Sequence, residues 1–489
     1  MADRALPVAG LMVLAGLALV AVGVRTEMSR ADGVRPASTE TASTETAAAL
    51  AGPVSLATPV LSARRVPDLL VRPQAARRLN AKVTPLLASA PVDRCVVIAD
   101  GPTVLFAEQP DTPMTPASNM KLLTALAALD ILGPDATFTT TFSAGAAPVG
   151  GVVDGDLWMI GGGDPLIDSD TYQSTLRYGR TPHTRLEDIA DQLVAAGVTS
   201  ITGSIRGDDT FFDNMRTVPT WPARYVAQNQ VGPLSALSVN DARTYPAVAG
   251  AGGGTPQPAS DPPAYAATAL TQALTARGVT VSGVAGSGTA PAGLAQILAV
   301  PSLPVSAIVG EMLRYSDNNT AELLQKAMGR EVSRQPTTAA GVLATAEVLA
   351  RKNLSTEGVT LLDGSGLDIG NKVTCRLLES VLGAAGPTGP LADGLPVADG
   401  PDGTLKDRFN NSPAAGAVRA KTGTLKAVTA LSGWVTTTSG AQVKFSIMLN
   451  TGGRDVSAAD RDFEARVAEA VLSYPDAVDP AVVAPKAPA

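Results

Sequence analysis

One histidine and two cysteines are all that a chain of 489 residues offers as imidazole or thiolate groups. His/Cys zinc clusters, iron–sulfur sites and disulfide scaffolds each need several such residues, so the count nearly excludes them. A Ser-His-Asp triad has only His183 to draw on, and that residue sits in a polar stretch, Thr181-Pro182-His183-Thr184-Arg185, which reads as a surface loop. Proton chemistry must therefore come from lysine, tyrosine or carboxylates. Charge is scarce as well. Charged residues make up 17% of the chain, the net charge is -7 and no long Lys/Arg run occurs, which argues against nucleic acid as the main partner. Hydrophobic residues are abundant at 45%, enough for a sizeable core, and the length predicts two or three domains.

The two ends read differently from the middle. Met1 to Arg25 resembles an export signal: Arg4 is the early positive charge, Pro7 to Val24 is uncharged, and Ala21-Val22-Gly23 offers a small-x-small cleavage site. The uncharged stretch also reaches the lower limit for a membrane span, so residues 1–29 are expected as a signal peptide or membrane anchor. Residues 30–79 are expected as a flexible linker, because the Ala/Thr/Ser/Pro-rich tract with its repeat Ala-Ser-Thr-Glu-Thr (37–41 and 42–46) buries too little to offset ordering entropy. The tail 476–489 is expected to be loose. The folded protein is then exported, to the periplasm or cell envelope outside the cytoplasmic membrane, and the first segment is a candidate membrane tether.

Between the ends, Arg94–Ala99, the turn Asp100-Gly101-Pro102 and Thr103–Ala107 predict a hairpin. A helix is expected from Pro116 to Leu132, stopped by Gly133-Pro134. Residues 139–299 change character to short Thr/Gly/Val-rich strands with interspersed helices. Helices return at Pro304–Arg314, Thr320–Met328 and Ala339–Ala350. Strands follow at Val418–Thr424, Val428–Thr438 and Gln442–Leu449, then a helix from Ser457 to Ser473. Strands near both ends join one sheet only if the middle is an insertion. The expected fold class is α+β: an antiparallel sheet flanked by helices, built from 80–138 and 300–475, with an inserted α+β domain at 139–299.

Three short motifs carry chemistry. Ser118-Asn119-Met120-Lys121 puts a hydroxyl and an amine at i and i+3 of a helix start, where unpaired backbone N–H groups can also receive an oxyanion. Alone, such a pair arises readily by chance. Ser316-Asp317-Asn318 precedes Asn319-Thr320-Ala321-Glu322, and Asn319 with Glu322 resembles a capping box that leaves Ser316 and Asn318 free. The similar Ser238-Val239-Asn240 ranks lower, since no lysine motif frames it. Lys421-Thr422-Gly423-Thr424 lies in an expected strand; its donors suit an anionic substrate end, and its glycine permits close approach of a ligand backbone. The three together, in this order, are far more specific than any one.

The constellation resembles the penicillin-recognising serine acyl-enzymes. The long stretch between the first and second motifs, with Gly161-Gly-Gly-Asp-Pro165, Pro233–Asn240, Asp363-Gly-Ser-Gly-Leu367 and Leu395–Leu405, is similar to peptidase family S13, the class C penicillin-binding proteins of the penicillin-binding protein 4 type. One departure is an extra residue near Asp399-Gly400-Pro401. The glycine-rich matches also have a bland reading as turns. Cys95 and Cys375 fit either a disulfide or two buried thiols.

The resemblance implies a serine-type D-Ala-D-Ala carboxypeptidase or endopeptidase acting on peptidoglycan stem peptides, inhibited by β-lactams, with no metal or other cofactor. Ser118 is the implied nucleophile, Lys121 its base and Ser316 the proton relay. Asn318 holds a substrate amide, and Lys421, Thr422 and Thr424 grip the terminal carboxylate beside Gly423. A free lysine titrates at about 10.4, so making Lys121 a base near neutrality takes roughly 4–5 kcal/mol from desolvation and a nearby like charge. The resemblance makes Lys421 that charge. A β-lactamase-like hydrolase is the first alternative, disfavoured by the lack of Glu-x-x-Leu-Asn and Tyr-x-Asn patterns. A non-catalytic wall-binding protein of the same fold is the second.

Overall fold

A computed structural model describes residues 67–176, 180–244 and 256–476. The expected export segment, the linker up to residue 66 and the tail from 477 lie outside the described residues. Helix α1 (Pro67–Val83) opens the fold, and its first thirteen residues fall in the stretch 30–79 expected as flexible linker, which corrects that expectation. Ala75, Leu79 and Val83 recur every four residues, so they share one helix face, and all three are buried. The arginines between them mask that stripe in composition alone.

The expected hairpin follows as β1 (Asp93–Asp100) and β2 (Thr103–Glu108). A single 3-10 turn, Ala117–Asn119, leads into α2 (Met120–Ile131), which is apolar nearly all round, with Met120, Leu122, Leu123, Ala125 and Ala128 fully buried. Each such leucine stabilises the fold by about 1.5–3 kcal/mol.

The chain then builds a separate set of sheets: β3 (Thr139–Ala144), β4 (Leu157–Ile160), α3 (Leu186–Ala195), β5 (Ile205–Asp208), α4 (Pro262–Thr275), β6 (Gly286–Ser287) and β7 (Ala295–Pro301). Their mixed sheet runs β6-β5-β4-β3-β7, over a core that includes Phe142, Met159, Ile189, Leu193 and Leu270. Strands β3 and β7 pair with Thr139 opposite Pro301, so the chain leaves and returns at one point. Ser302 N–H donates to Phe138 O at 2.7 Å across that junction.

Helices α5 (Val305–Tyr315), α6 (Asn318–Ser333), α7 (Thr338–Arg351) and α8 (Cys375–Ala385) come next. Strands β8 (Val418–Leu425), β9 (Val428–Thr436) and β10 (Gln442–Asn450) and helix α9 (Ala458–Val471) complete the chain. The main sheet has the order β8-β9-β10-β1-β2, antiparallel throughout. Alternation along its strands separates two cores. Cys95, Val97, Trp434 and Met448 pack towards α2, α5 and α8, whereas Val96, Ile98, Leu431 and Ile447 pack towards α1 and α9. The result is an α+β arrangement of an antiparallel sheet with helices on both faces.

Cys95 on β1 is disulfide-bonded to Cys375 at the start of α8, with a Cα separation of 5.9 Å. Of the two options the sequence left open, the bonded one holds. No described helix is long and apolar enough to cross a membrane.

Candidate active site

Ser118 sits in the 3-10 turn, half-buried, one residue after Ala117, whose φ is 47°. Two close approaches fix that turn. A Cβ on Gly366 would meet Ala117 O at 1.9 Å, and a Cβ on Gly423 would meet Pro116 O at 2.8 Å. The glycine of the third motif thus admits the turn that carries Ser118, where the sequence alone suggested a ligand backbone. From below, Asn119 Nδ2 donates to Ser432 Oγ on β9 at 3.0 Å.

One turn later, the Lys121 ammonium is fully buried and surrounded by three oxygens. It reaches Ser118 Oγ at 3.2 Å, Asn318 Oδ1 at 2.7 Å and the Ser365 carbonyl at 2.7 Å. The first two motifs therefore meet at one amine.

The second motif is the sharp link between α5 and α6. Ser316 adopts a left-handed conformation, φ 63° and ψ 38°, and ends α5. The helix that follows starts earlier than expected: Asp317 is its N-cap, accepting from Thr320 N–H at 3.0 Å. Asn319 and Glu322 do not form a capping box. Asn319 Oδ1 accepts from Gly232 N–H at 2.6 Å, and Glu322 Oε1 accepts from Gly364 and Ser365 N–H at 3.0 and 2.8 Å. Glu322 thereby holds the loop whose carbonyl faces Lys121. Asn318 Nδ2 donates to Gln230 O at 2.6 Å. The lower-ranked Ser238/Asn240 pair lies elsewhere, with Asn240 bonded to Ser169 N–H and Tyr265 hydroxyl.

The third motif lies on β8, the edge strand of the main sheet. Ala420 N–H on that outer edge bonds to Pro396 O at 3.1 Å. By strand alternation the next outward N–H groups belong to Thr422 and Thr424, and among the described residues no backbone bond closes the edge there. Thr422 Oγ1 donates to Thr404 Oγ1 at 2.8 Å, and Lys421 Nζ donates to Thr422 O at 2.8 Å. A cavity of about 1030 Å³ opens beside the exposed Thr424, lined also by Thr115, Tyr225, Gln230, Leu367, Ile369 and Lys372. A smaller one of about 220 Å³ adjoins Tyr315, Ser316 and Asn318.

Burial pushes the Lys121 amine down to about 8, against the opposing pull of Asp363, Asp317, Glu322 and Glu311. Lys421 is pushed further, well below its ordinary value, by burial first and by the Lys121 charge second. Of the two expected causes, desolvation acts on Lys121 as expected and repulsion from Lys421 does not: Lys421 is the lysine that feels its neighbour's charge. Glu322 is raised to about 8 by its own burial and by Asp363.

Several contributors carry no signature in the sequence. The Ser365 and Gln230 carbonyls act through the backbone, whereas Asp363-Gly-Ser-Gly-Leu367, singled out in the sequence as a family match with a turn as its bland reading, lines the Lys121 pocket. Gly161-Gly-Gly-Asp-Pro165 does behave as architecture: Cβ atoms on Gly161 and Gly162 would meet the Ala236 and Thr139 carbonyls at 2.4 and 2.1 Å.

The model of the D-Ala-D-Ala carboxypeptidase 3 (S13) family matches residues 79–263 and 257–470. This chain belongs to that family. As an S13 member it is a penicillin-binding, serine-type D-Ala-D-Ala carboxypeptidase, a hydrolase of peptidoglycan. It is similar to the D-alanyl-D-alanine carboxypeptidase of Actinomadura sp. strain R39, 32% identical over 435 residues, covering 73% of this chain and 77% of that protein. Carboxypeptidase DacB of Mycolicibacterium smegmatis is 30% identical over 364 residues, with 73% and 75% covered. The S13 fold is shared with the crystal structure of penicillin binding protein 4 from Haemophilus influenzae: TM-score 0.65, 21% identity, 80% of this chain and 98% of that one.

Proposed function

We propose that Ser118 is the acylated nucleophile of this S13 peptidase and that the three motifs share one reaction centre. Neutral Lys121 takes the Ser118 proton as Oγ attacks the carbonyl of the penultimate D-alanine. Ser316 relays that proton to the departing amine, D-alanine leaves, and water hydrolyses the ester. With its amine near 8, about one Lys121 in ten is neutral at pH 7, enough for a general base. Backbone N–H groups of Ser118 and Thr424 receive the oxyanion. The open edge at Thr422 and Thr424 suits a stem peptide added as a further strand. Asn318 holds a substrate amide, and Thr422 and Thr424 assist Lys421 at the terminal carboxylate. A carboxylate arriving beside Lys421 favours its protonated form, so the anchor gains its charge as substrate binds.

The observation that carries this reading is the single buried amine within hydrogen-bond reach of both Ser118 and Asn318. Residues 80–138 with 300–475 are proposed as the catalytic domain and 139–299 as its insert. Export to the cell envelope is proposed from the Met1–Arg25 pattern together with the Cys95–Cys375 bond, since disulfides persist in oxidising compartments; residues 1–29 then serve as signal or tether. Mass spectrometry after incubation with penicillin should find the adduct on Ser118, and Ser118→Ala should abolish it. Retained labelling at another serine refutes the assignment. Slow release of that adduct is expected; rapid turnover would favour the β-lactamase alternative. D-alanine release from a model stem peptide separates both from a non-catalytic binder.

A further inference from the structure

Arg180 lies in the segment between α2 and α5 that builds its own sheets, yet its guanidinium ends at the second motif. It is nearly buried, with 8% of its side chain exposed. Nη2 lies 2.9 Å from Asp317 Oδ2, and Nε lies 3.2 Å from Glu311 Oε1. On its own side of the junction it binds Asp241 in a bidentate fork and stands 3.5 Å from Asp168. Four carboxylates thus converge on one cation, two from the inserted segment and two from the helices on either side of Ser316.

The position matters because of what Asp317 and Glu311 do. Asp317 separates Ser316 from Asn318, and its other oxygen caps α6. Glu311, on α5, accepts from the Thr320 hydroxyl on α6 at 3.4 Å. These groups set the angle of the link at which Ser316 takes its left-handed conformation. A non-glycine residue there costs of order 1–3 kcal/mol and persists only when its surroundings over-determine it. Among the described residues, Arg180 is the only ion-pair partner of both carboxylates.

We propose that Arg180 is a positioning residue for acylation: reaching across from the inserted segment, it holds Asp317 and Glu311 so that Ser316 and Asn318 face Ser118 and Lys121. The insert is then part of the catalytic apparatus as well as a neighbour of it. This rests on the Ser118 acyl-enzyme reading above. The groups facing Arg180 are Asp168, Asp241, Glu311, Asp317 and the Tyr172 ring and hydroxyl, with Arg243 beside Asp241. Burial raises Glu311 well above the carboxylate range and Asp168 to about 7. Without Arg180 those carboxylates repel one another increasingly as pH rises.

The test measures the penicillin acylation rate of the full-length protein, counted per folded molecule, for wild type, Arg180→Met and Arg180→Lys between pH 6 and 9. Misplaced catalytic groups lose about tenfold to a hundredfold, and Arg180→Met should show that loss at neutral pH. Its ratio to wild type should fall further as pH rises. Arg180→Lys keeps the charge without the fork; it should fold near the wild-type melting temperature and still acylate severalfold slower. Wild-type acylation by either variant, or a ratio flat across the pH range, overturns the proposal even if melting temperatures fall. A wild-type protein that carries no adduct on Ser118 instead removes the underlying reading, which keeps the two failures apart.

Discussion

Lys121 and Lys421 are both fully buried, and their surroundings could hardly differ more. Lys121 stands among acids: Asp363, Asp317, Glu322 and Glu311 each favour its proton, and three oxygens receive its hydrogens. Among the described residues, the Lys421 amine donates to the Thr422 carbonyl, and the charge beside it is another lysine. Burial sets the direction for both, and the neighbours set how far each goes. The first pocket leaves an amine that titrates within reach of physiological pH, suited to passing a proton. The second leaves a buried amine with a like charge beside it, which we propose as the anchor of a substrate carboxylate.

Breaking the contrast on the Lys121 side should have the largest effect. Lys121→Met removes the proposed base, and penicillin acylation should drop by about 10²–10⁴-fold while the circular dichroism spectrum is unchanged. Lys421→Met should slow D-alanine release from a carboxylate-ended peptide by roughly tenfold to a hundredfold, the worth of one charged hydrogen bond. An amide-ended peptide should barely notice the change, and equal losses on both would sink the anchor role.

Smaller changes sharpen the comparison. Acylation by wild type should climb with pH to an inflection near 8, as Lys121 gives up its proton. Glu322, itself about half ionised near pH 8, is one of the carboxylates that hold that value up, so Glu322→Gln should move the inflection to lower pH; a glutamine oxygen still receives the Gly364 and Ser365 amides. An unmoved or raised inflection counts against this electrostatic account. The smallest effect is expected at Thr404→Val, which removes one neutral hydrogen bond to Thr422 and should cost about 1 kcal/mol, or about fivefold in acylation.

Much of this was legible in the residues. The hairpin, the three late strands and the helix after Ser457 announce themselves through alternation or a recurring apolar face, because one-sided burial imposes those periods. The three motifs were legible because their side chains are chemically distinctive. What stayed hidden acts through the backbone or across long separations. Ser365 contributes a carbonyl that any residue has. Asp317-Asn318-Asn319 places three good caps in a row, so the helix start was ambiguous by two residues. Gly423 showed that something comes close, without saying that the visitor is the chain itself. Arg180 meets Glu311 and Asp317 across more than 130 residues of sequence, where the segment between α2 and α5 reaches α5.

The bond between Cys95 and Cys375 spans 280 residues of sequence. Ser118, Lys121, Ser316 and the described strands between α2 and α5 lie within that span, while Lys421 lies beyond it. The protein is therefore a covalent ring with two tails. A protease nick anywhere inside the ring opens it without releasing a fragment, so a cut molecule should migrate as one species on a denaturing gel and separate into two only after reductant is added. Such a ring lets a nicked copy of this peptidoglycan hydrolase stay assembled around Ser118, the proposed nucleophile.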